Sequence, residues 1–135
     1  EFFQLDGITR NVLQEGEFVL KVTFPDNVAD RTGSYKKLRV RESWDFPEAG
    51  VASSWISGDP SSLRVASTAL ESIPRSHQEE VDALGTAFSK EHIPQLSKAI
   101  MKSIKPVNNT ALPPRYRKSM VRVLAKRSLR EILGD

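Results

Sequence analysis

His77 and His92 are the two imidazoles of this 135-residue chain, which contains no cysteine. Acid–base and metal chemistry needs such groups in convergent sets, so their neighbours decide what they can do. His77 lies beside Glu79, Glu80 and Asp82. Together they could hold a divalent ion, but they also make the acidic first turn that a helix dipole favours, and no metal is expected. His92 precedes Pro94 and reads as a surface or capping residue. Ser97-Lys98 and Lys118-Ser119 are candidate nucleophile–base pairs. A lysine base needs burial to lower its pKa, and both pairs sit in polar stretches. The sequence has no glycine-rich phosphate loop, nucleophile elbow or paired-histidine metal motif. The expected chain is therefore non-catalytic and carries no cofactor.

Cations form the stronger pattern. Residues 113–135 hold seven bases and two acids, a net of +5, which leaves −2 for the first 112 residues and +3 in total. Lys118, Arg122, Lys126 and Arg130 recur every fourth residue and so stack along one side of a helix. Arg115 and Arg117 flank Tyr116, which could stack on an exposed base. Lys98 and Lys102 line a second helix, and Lys21, Lys37, Arg39 and Arg41 would share one sheet face. Merged, these stripes would attract phosphate by Coulomb steering and counterion release. The expected nucleic-acid-contacting residues are Arg115, Arg117, Lys118, Arg122, Lys126 and Arg130, with Lys98 and Lys102 in second rank. The expected partner is RNA or DNA, bound through its backbone without strong sequence reading. The alternative is a protein-interaction or self-assembly module that docks the apolar face of the C-terminal helix. Anionic lipid fits less well, because that face carries no Trp or Phe.

The elements that would position these residues read as α+β. Phe2–Leu5 and Ile8–Leu13 flank an Asp6-Gly7 turn, and Glu17–Phe24 alternates, with Phe18, Leu20, Val22 and Phe24 on one face. Tyr35–Arg41 completes a β meander of three to four antiparallel strands over residues 1–45. Residues 46–58 form a connection, and Trp44, Phe46 and Trp55 are expected to plug the junction between sheet and helices. Residues 59–135 read as about four helices. Asp59 caps the first, with Pro60 at its start and Leu63, Ala66, Leu70 and Ile73 inward. Ser76 and Glu79 form a capping box for the second. The third runs from near Pro94 to Ile104. The last follows Pro113-Pro114, is basic and amphipathic, and ends at Gly134.

The whole chain, residues 1–135, is expected to be a single domain. Glu1 at its start suggests a piece excised from a longer protein. No apolar run approaches the roughly 20 residues of a membrane span. The lack of cysteine fits an intracellular compartment, and Asn108-Asn109-Thr110 is a glycosylation triplet expected to be unused.

Overall fold

The computed structural model describes residues 2–4, 8–9, 11–42 and 44–135. A 3-10 turn, Asp26–Asp30, leads into β1 (Arg31–Leu38), β2 (Ala49–Ile56), β3 (Asp59–Thr68) and the two-residue β4 (Arg75–Ser76). The helices α1 (Gln78–Asp82), α2 (Ile93–Ser103) and α3 (Pro114–Ile132) follow, α2 being entered through a 3-10 turn at Lys90–His92. The strands make one antiparallel sheet in the order β1-β2-β3-β4. The chain is α+β, with three α-helices among the described residues where about four are expected.

The sheet sits later in the chain than the hydrophobic pattern suggests. Residues 17–24 form no strand, although they alternate more cleanly than any other stretch. Of the first expected hairpin, a Phe3–Asn11 bridge and a Val12 N–H to Phe2 carbonyl bond of 3.0 Å are present. Its Asp6-Gly7 turn lies outside the described residues. The expected connection instead contains β2, whose Ala49, Val51 and Ser53 are buried. Trp44 (88% exposed) and Phe46 project into solvent rather than plugging a junction. Trp55 alone of the three packs on the core, and its indole N–H donates to the Ile132 carbonyl at 2.8 Å.

β3 replaces the first expected helix. Asp59 does accept a cap-like bond from the Ser61 N–H at 3.0 Å, but it does so within a hairpin turned at Gly58 (φ +82). An Asx bond to the residue two ahead suits a turn as well as a helix start. Beyond it Leu63, Val65 and Ser67 point inward with period two, and all three are buried. Ser76 lies in β4 and His77 precedes α1 with no side-chain cap bond, so the expected capping box is absent.

α2 and α3 lie close to the expected bounds because they carry a 3.6-residue pattern and each has a proline within its first two residues. α3 packs across β1 and β2 and against α2. Small residues allow the close approach: Ser53 and Ser128 share a buried 2.5 Å hydrogen bond, and Ser128 also donates to the Ser34 carbonyl at 3.0 Å. Around this seam Val121, Leu124 and Leu129 join Val51, Leu63, Leu96 and Ile100 in one core. Ala69, just after β3, takes φ +65, a left-handed conformation that a Cβ disfavours. Ala69→Gly is therefore expected to be neutral or to stabilise by about 0.5–1 kcal/mol. Ala125→Gly, inside α3, should cost about 1 kcal/mol or more. Urea unfolding of the two variants should show these opposite signs.

Candidate interaction surface

Helix α3 starts at Pro114, and its first turn carries Arg117, which is 0% exposed. Its Nε donates to the Glu48 carbonyl at 2.7 Å, one terminal nitrogen to Val107 O at 2.8 Å and Asn109 Oδ1 at 3.3 Å, and the other to Ala69 O. The buried Glu48 carboxylate lies 3.8 Å from Nε. The guanidinium thus faces protein acceptors on every side, and a phosphate cannot reach it. Its assignment as a nucleic-acid contact is corrected: Arg117 is a structural clamp. The signal was present in the sequence, because Arg117, Val121, Leu124 and Ser128 follow four-, three- and four-residue steps along the buried stripe of α3.

The remaining cations differ in what they touch. Lys118 donates to the Lys102 and Ile104 carbonyls at 3.2 and 2.7 Å, so it caps the open C-terminal end of α2. Arg115, Lys98, Lys102 and Arg130 are exposed, whereas Arg122 and Lys126 are half-buried. Of the expected sheet stripe, Lys21 lies in the unpaired segment, and Arg39 and Arg41 lie beyond the end of β1. Arg41 pairs with Asp45 at 3.0 Å, and its backbone N–H, with the guanidinium, holds that carboxyl down to about 2. Lys36, on β1, forms an ion pair with Glu131 of α3.

The His77 cluster is not a metal site. Glu79 and Asp82 are exposed, and Asp82 accepts from the Gln78 amide at 2.8 Å. Only Glu80 turns towards the ring, with 3.5 Å between its carboxylate and Nδ1. Among the described residues no three His, Asp or Glu side chains converge. Ser67 lies 2.9 Å from Nε2 of His77, which places Ser67, His77 and Glu80 in the order of nucleophile, base and acid. Ser67 and His77 are 2% and 0% exposed, so no substrate reaches them. His92 caps the turn it belongs to, its Nδ1 accepting the Ser89 N–H at 3.1 Å. Ser97 is buried and bonds within its own helix, to Pro94 O at 3.1 Å.

What stays open is the face of the sheet turned away from α3. Gly33, Tyr35, Ala52, Ser54, Arg64 and Ala66 line a shallow groove of about 510 Å³ there. Its floor is low because the side chains are small, and Tyr35 lies over Gly50. A Cβ at Gly50 would meet the Tyr35 hydroxyl at 2.5 Å and Thr68 Cγ2 at 2.8 Å. Burial against the sheet raises the Tyr35 pKa. A flat face of small side chains with one aromatic and one arginine suits docking of another surface.

No protein-family model matches the chain. Its backbone is similar to a chain of carbon monoxide dehydrogenase from Hydrogenophaga pseudoflava, in a form lacking the Mo-pyranopterin moiety of the molybdenum cofactor. That likeness has a TM-score of 0.67 and 26% identity, covering 78% of this chain and 38% of that one. It is also similar to quinoline 2-oxidoreductase from Pseudomonas putida 86 (TM-score 0.64, 15% identity, 76% of this chain and 37% of that one). A third likeness is to CO dehydrogenase from Oligotropha carboxidovorans (0.62, 20%, 75% and 36%). The fold resembles part of an oxidoreductase chain. The chain spans under two-fifths of the length of each of these structures. These neighbours overturn the expectation of an RNA- or DNA-binding domain and of a nucleic-acid partner. The helical stripe that suggested phosphate holds a buried clamp, Arg117, and a helix cap, Lys118, beside its exposed charges.

Two outcomes follow from this geometry. Arg117→Met should lower stability by about 3–5 kcal/mol, because it strands a buried carboxylate and several carbonyls. Arg117→Lys should fail to rescue it, since an ammonium lacks the planar fork. Arg130→Ala, on the exposed side of the same helix, should stay within about 0.5 kcal/mol. Urea midpoints decide the comparison. The second outcome concerns pH. Burial holds the His77 pKa below its usual value, against the nearby Glu80 and with Arg75 acting in the same direction as burial. The unfolded chain therefore takes up this proton first as pH falls through about 6.5, and stability drops below that point by at most about 1.4 kcal/mol per pH unit. His77→Gln should flatten that window. Glu131 and Asp59, whose carboxyls are held low, contribute a separate loss only below about pH 4.5.

Proposed function

We propose that this chain is a non-catalytic domain of an oxidoreductase assembly of the kind represented by carbon monoxide dehydrogenase, and that it works by docking on protein. The observation that carries the reading is the backbone likeness to the Hydrogenophaga enzyme, over 78% of this chain at 26% identity. The residues support it chemically. The one nucleophile–base–acid arrangement is sealed in the core, and no metal ligand set is present among the described residues. On this reading the domain contributes to such an enzyme by holding other parts in place.

The docking surface on this reading is the open sheet face, with Ala52 and Ala66 at its floor and Tyr35 and Arg64 at its rim. The apolar band of α3 is not available for this role. Val121, Leu124, Leu129 and Ile132 are already buried in the core of this chain. That corrects the expectation that the helix would present them to a partner.

Native purification tests the proposal. The chain is expected to elute in a complex far above its own 15.1 kDa, together with dye-linked oxidoreductase activity and stoichiometric molybdenum. Ala52→Arg, at an exposed position of that face, should release it from that complex while changing its own stability by no more than about 0.5 kcal/mol, as surface changes do. A solitary monomer without associated activity would sink the reading.

A further inference from the structure

From His92 to Arg130 the chain runs for 39 residues with ten Lys or Arg and no Asp or Glu. The other 96 residues hold ten bases and all 17 acids, so one part of the molecule carries +10 and the rest −7. The single-signed part comprises α2, α3 and their connection, and α3 lies across the inner side of the sheet. Arg117 and Lys118 are used by the fold, as clamp and cap. The other eight bases have no ion-pair partner among the described residues. The two acids that follow α3 are already taken, Glu131 by Lys36 and Asp135 by Lys90.

Helix physics alone would not produce this pattern. A helix gains from acids in its first turn and from acid–base pairs four residues apart, and it loses from like charges at that spacing. Neither α2 nor α3 has an acid in its first turn, and α3 begins instead with Arg115, Arg117 and Lys118. Lys118, Arg122, Lys126 and Arg130 then make three successive like-charge steps along α3. Tertiary contacts add to the crowding. Lys118 reaches the Lys102 and Ile104 carbonyls, which brings the basic end of α2 against the basic start of α3. Arg122 belongs to the same stripe, and its buried Nε has no hydrogen-bond partner. The helical layer therefore carries an electrostatic cost that the described fold does not offset.

We propose that the outer face of α2 and α3 docks on an acidic protein surface, whose carboxylates meet Lys98, Lys102, Arg115, Arg122, Lys126 and Arg130. Charge complementarity selects this occupant, and the arginines add planar forks that pair with carboxylates through two bonds. A second copy of the chain does not supply it. The 17 acids are interspersed with ten bases, and six of them already face a cation or histidine of their own chain. The fold neighbours are oxidoreductase chains, so the polyanion is taken to be protein. This face lies on the other side of the sheet from the Tyr35 groove. It is a second docking surface, and it rests on the oxidoreductase reading only in taking protein as the partner.

Zero-length carbodiimide cross-linking of the natively purified protein, read by mass spectrometry, tests the proposal. The reagent joins a lysine amine to a carboxylate where the two touch, so Lys98, Lys102 or Lys126 should be linked to Asp or Glu of another polypeptide. Raising NaCl from about 50 mM to about 500 mM should weaken the complex at least about tenfold, because the charges are then screened. Arg115→Glu separates docking from folding. It places an acid in the first turn of α3, so the urea midpoint of the chain alone should hold or rise while the complex weakens about tenfold. Arg115→Lys should leave both near their parent values. A complex that retains the chain without such links overturns the proposal. Links that form only between two copies of this chain overturn it, as does release of the complex by nuclease. A solitary chain removes both this proposal and the assembly reading. Links to an acidic protein in a complex without oxidoreductase activity support this proposal and remove that reading, and an active complex without links does the reverse.

Discussion

One guanidinium joins the parts of this fold that adjacent packing would leave separate. Arg117 rises from the first turn of α3 and meets the carbonyl of Glu48 where β2 begins, that of Ala69 after β3 ends, and that of Val107 in the connection between α2 and α3. Each of these is a chain end or corner, where backbone groups lose their regular partners and must find others. The same corners are tied by backbone bonds, Glu48 N–H to Leu38 O at 2.8 Å and Val107 N–H to Leu70 O at 2.9 Å. The clamp therefore works with the strands rather than replacing them. It satisfies what the ladder leaves over, and it holds a left-handed alanine in place by its carbonyl. A buried charge is stabilising only when it is well hydrogen-bonded, and the guanidinium fork makes four such bonds here, although the buried Glu48 Oε2 beside it has no hydrogen-bond partner.

The rest of the interior includes several buried polar side chains, used in a consistent way. Ser34, Ser53 and Ser128 form a chain from β1 and β2 to α3, while Ser67 and His77 link β3 to the segment before α1. Serine adds little bulk, so the helix can sit close to the sheet, and its hydroxyl rotates to meet whichever carbonyl is near. The cost is that every hydroxyl must be paired. That requirement fixes the register of α3 on the sheet more sharply than interchangeable leucines would. It also explains why the reactive-looking Ser67, His77 and Glu80 are structural: the order of groups resembles a catalytic relay, but their burial is that of a core.

How much of this was legible in the residues depends on how local each signal is. α2 and α3 carry long 3.6-residue patterns opened by proline, and both could be read. β2 could not. Its AGVASSWI run has small residues on both faces, because one face lies against a close-packed helix and the other forms an open groove. β3 was hidden by coincidence, since Leu63, Ala66, Leu70 and Ile73 fit a helical stripe while Leu63, Val65 and Ser67 do the burying. Arg117 was misread for a further reason. Charge was counted as a surface property, although its spacing placed it on the same stripe as Val121 and Leu124. The positive excess of the C-terminal segment is real as composition. As a surface it is reduced by the buried clamp and by the Lys118 cap on α2.

The segment 17–24 shows the opposite case, a pattern that was legible and yet has no counterpart in the structure around it. Alternation encodes a demand for one apolar layer and one pair of backbone edges, and it does not say where these are. In most chains the nearest edge meets the demand. Here the edge nearest in sequence is β1, whose inner side carries the Lys36–Glu131 pair as well as Leu38 and whose outer side is the Tyr35 groove. Pairing there would set phenylalanine and leucine beside charged groups or in water. The alternation of this segment is therefore unmet within the described fold, and Phe18, Leu20, Val22 and Phe24 stay exposed.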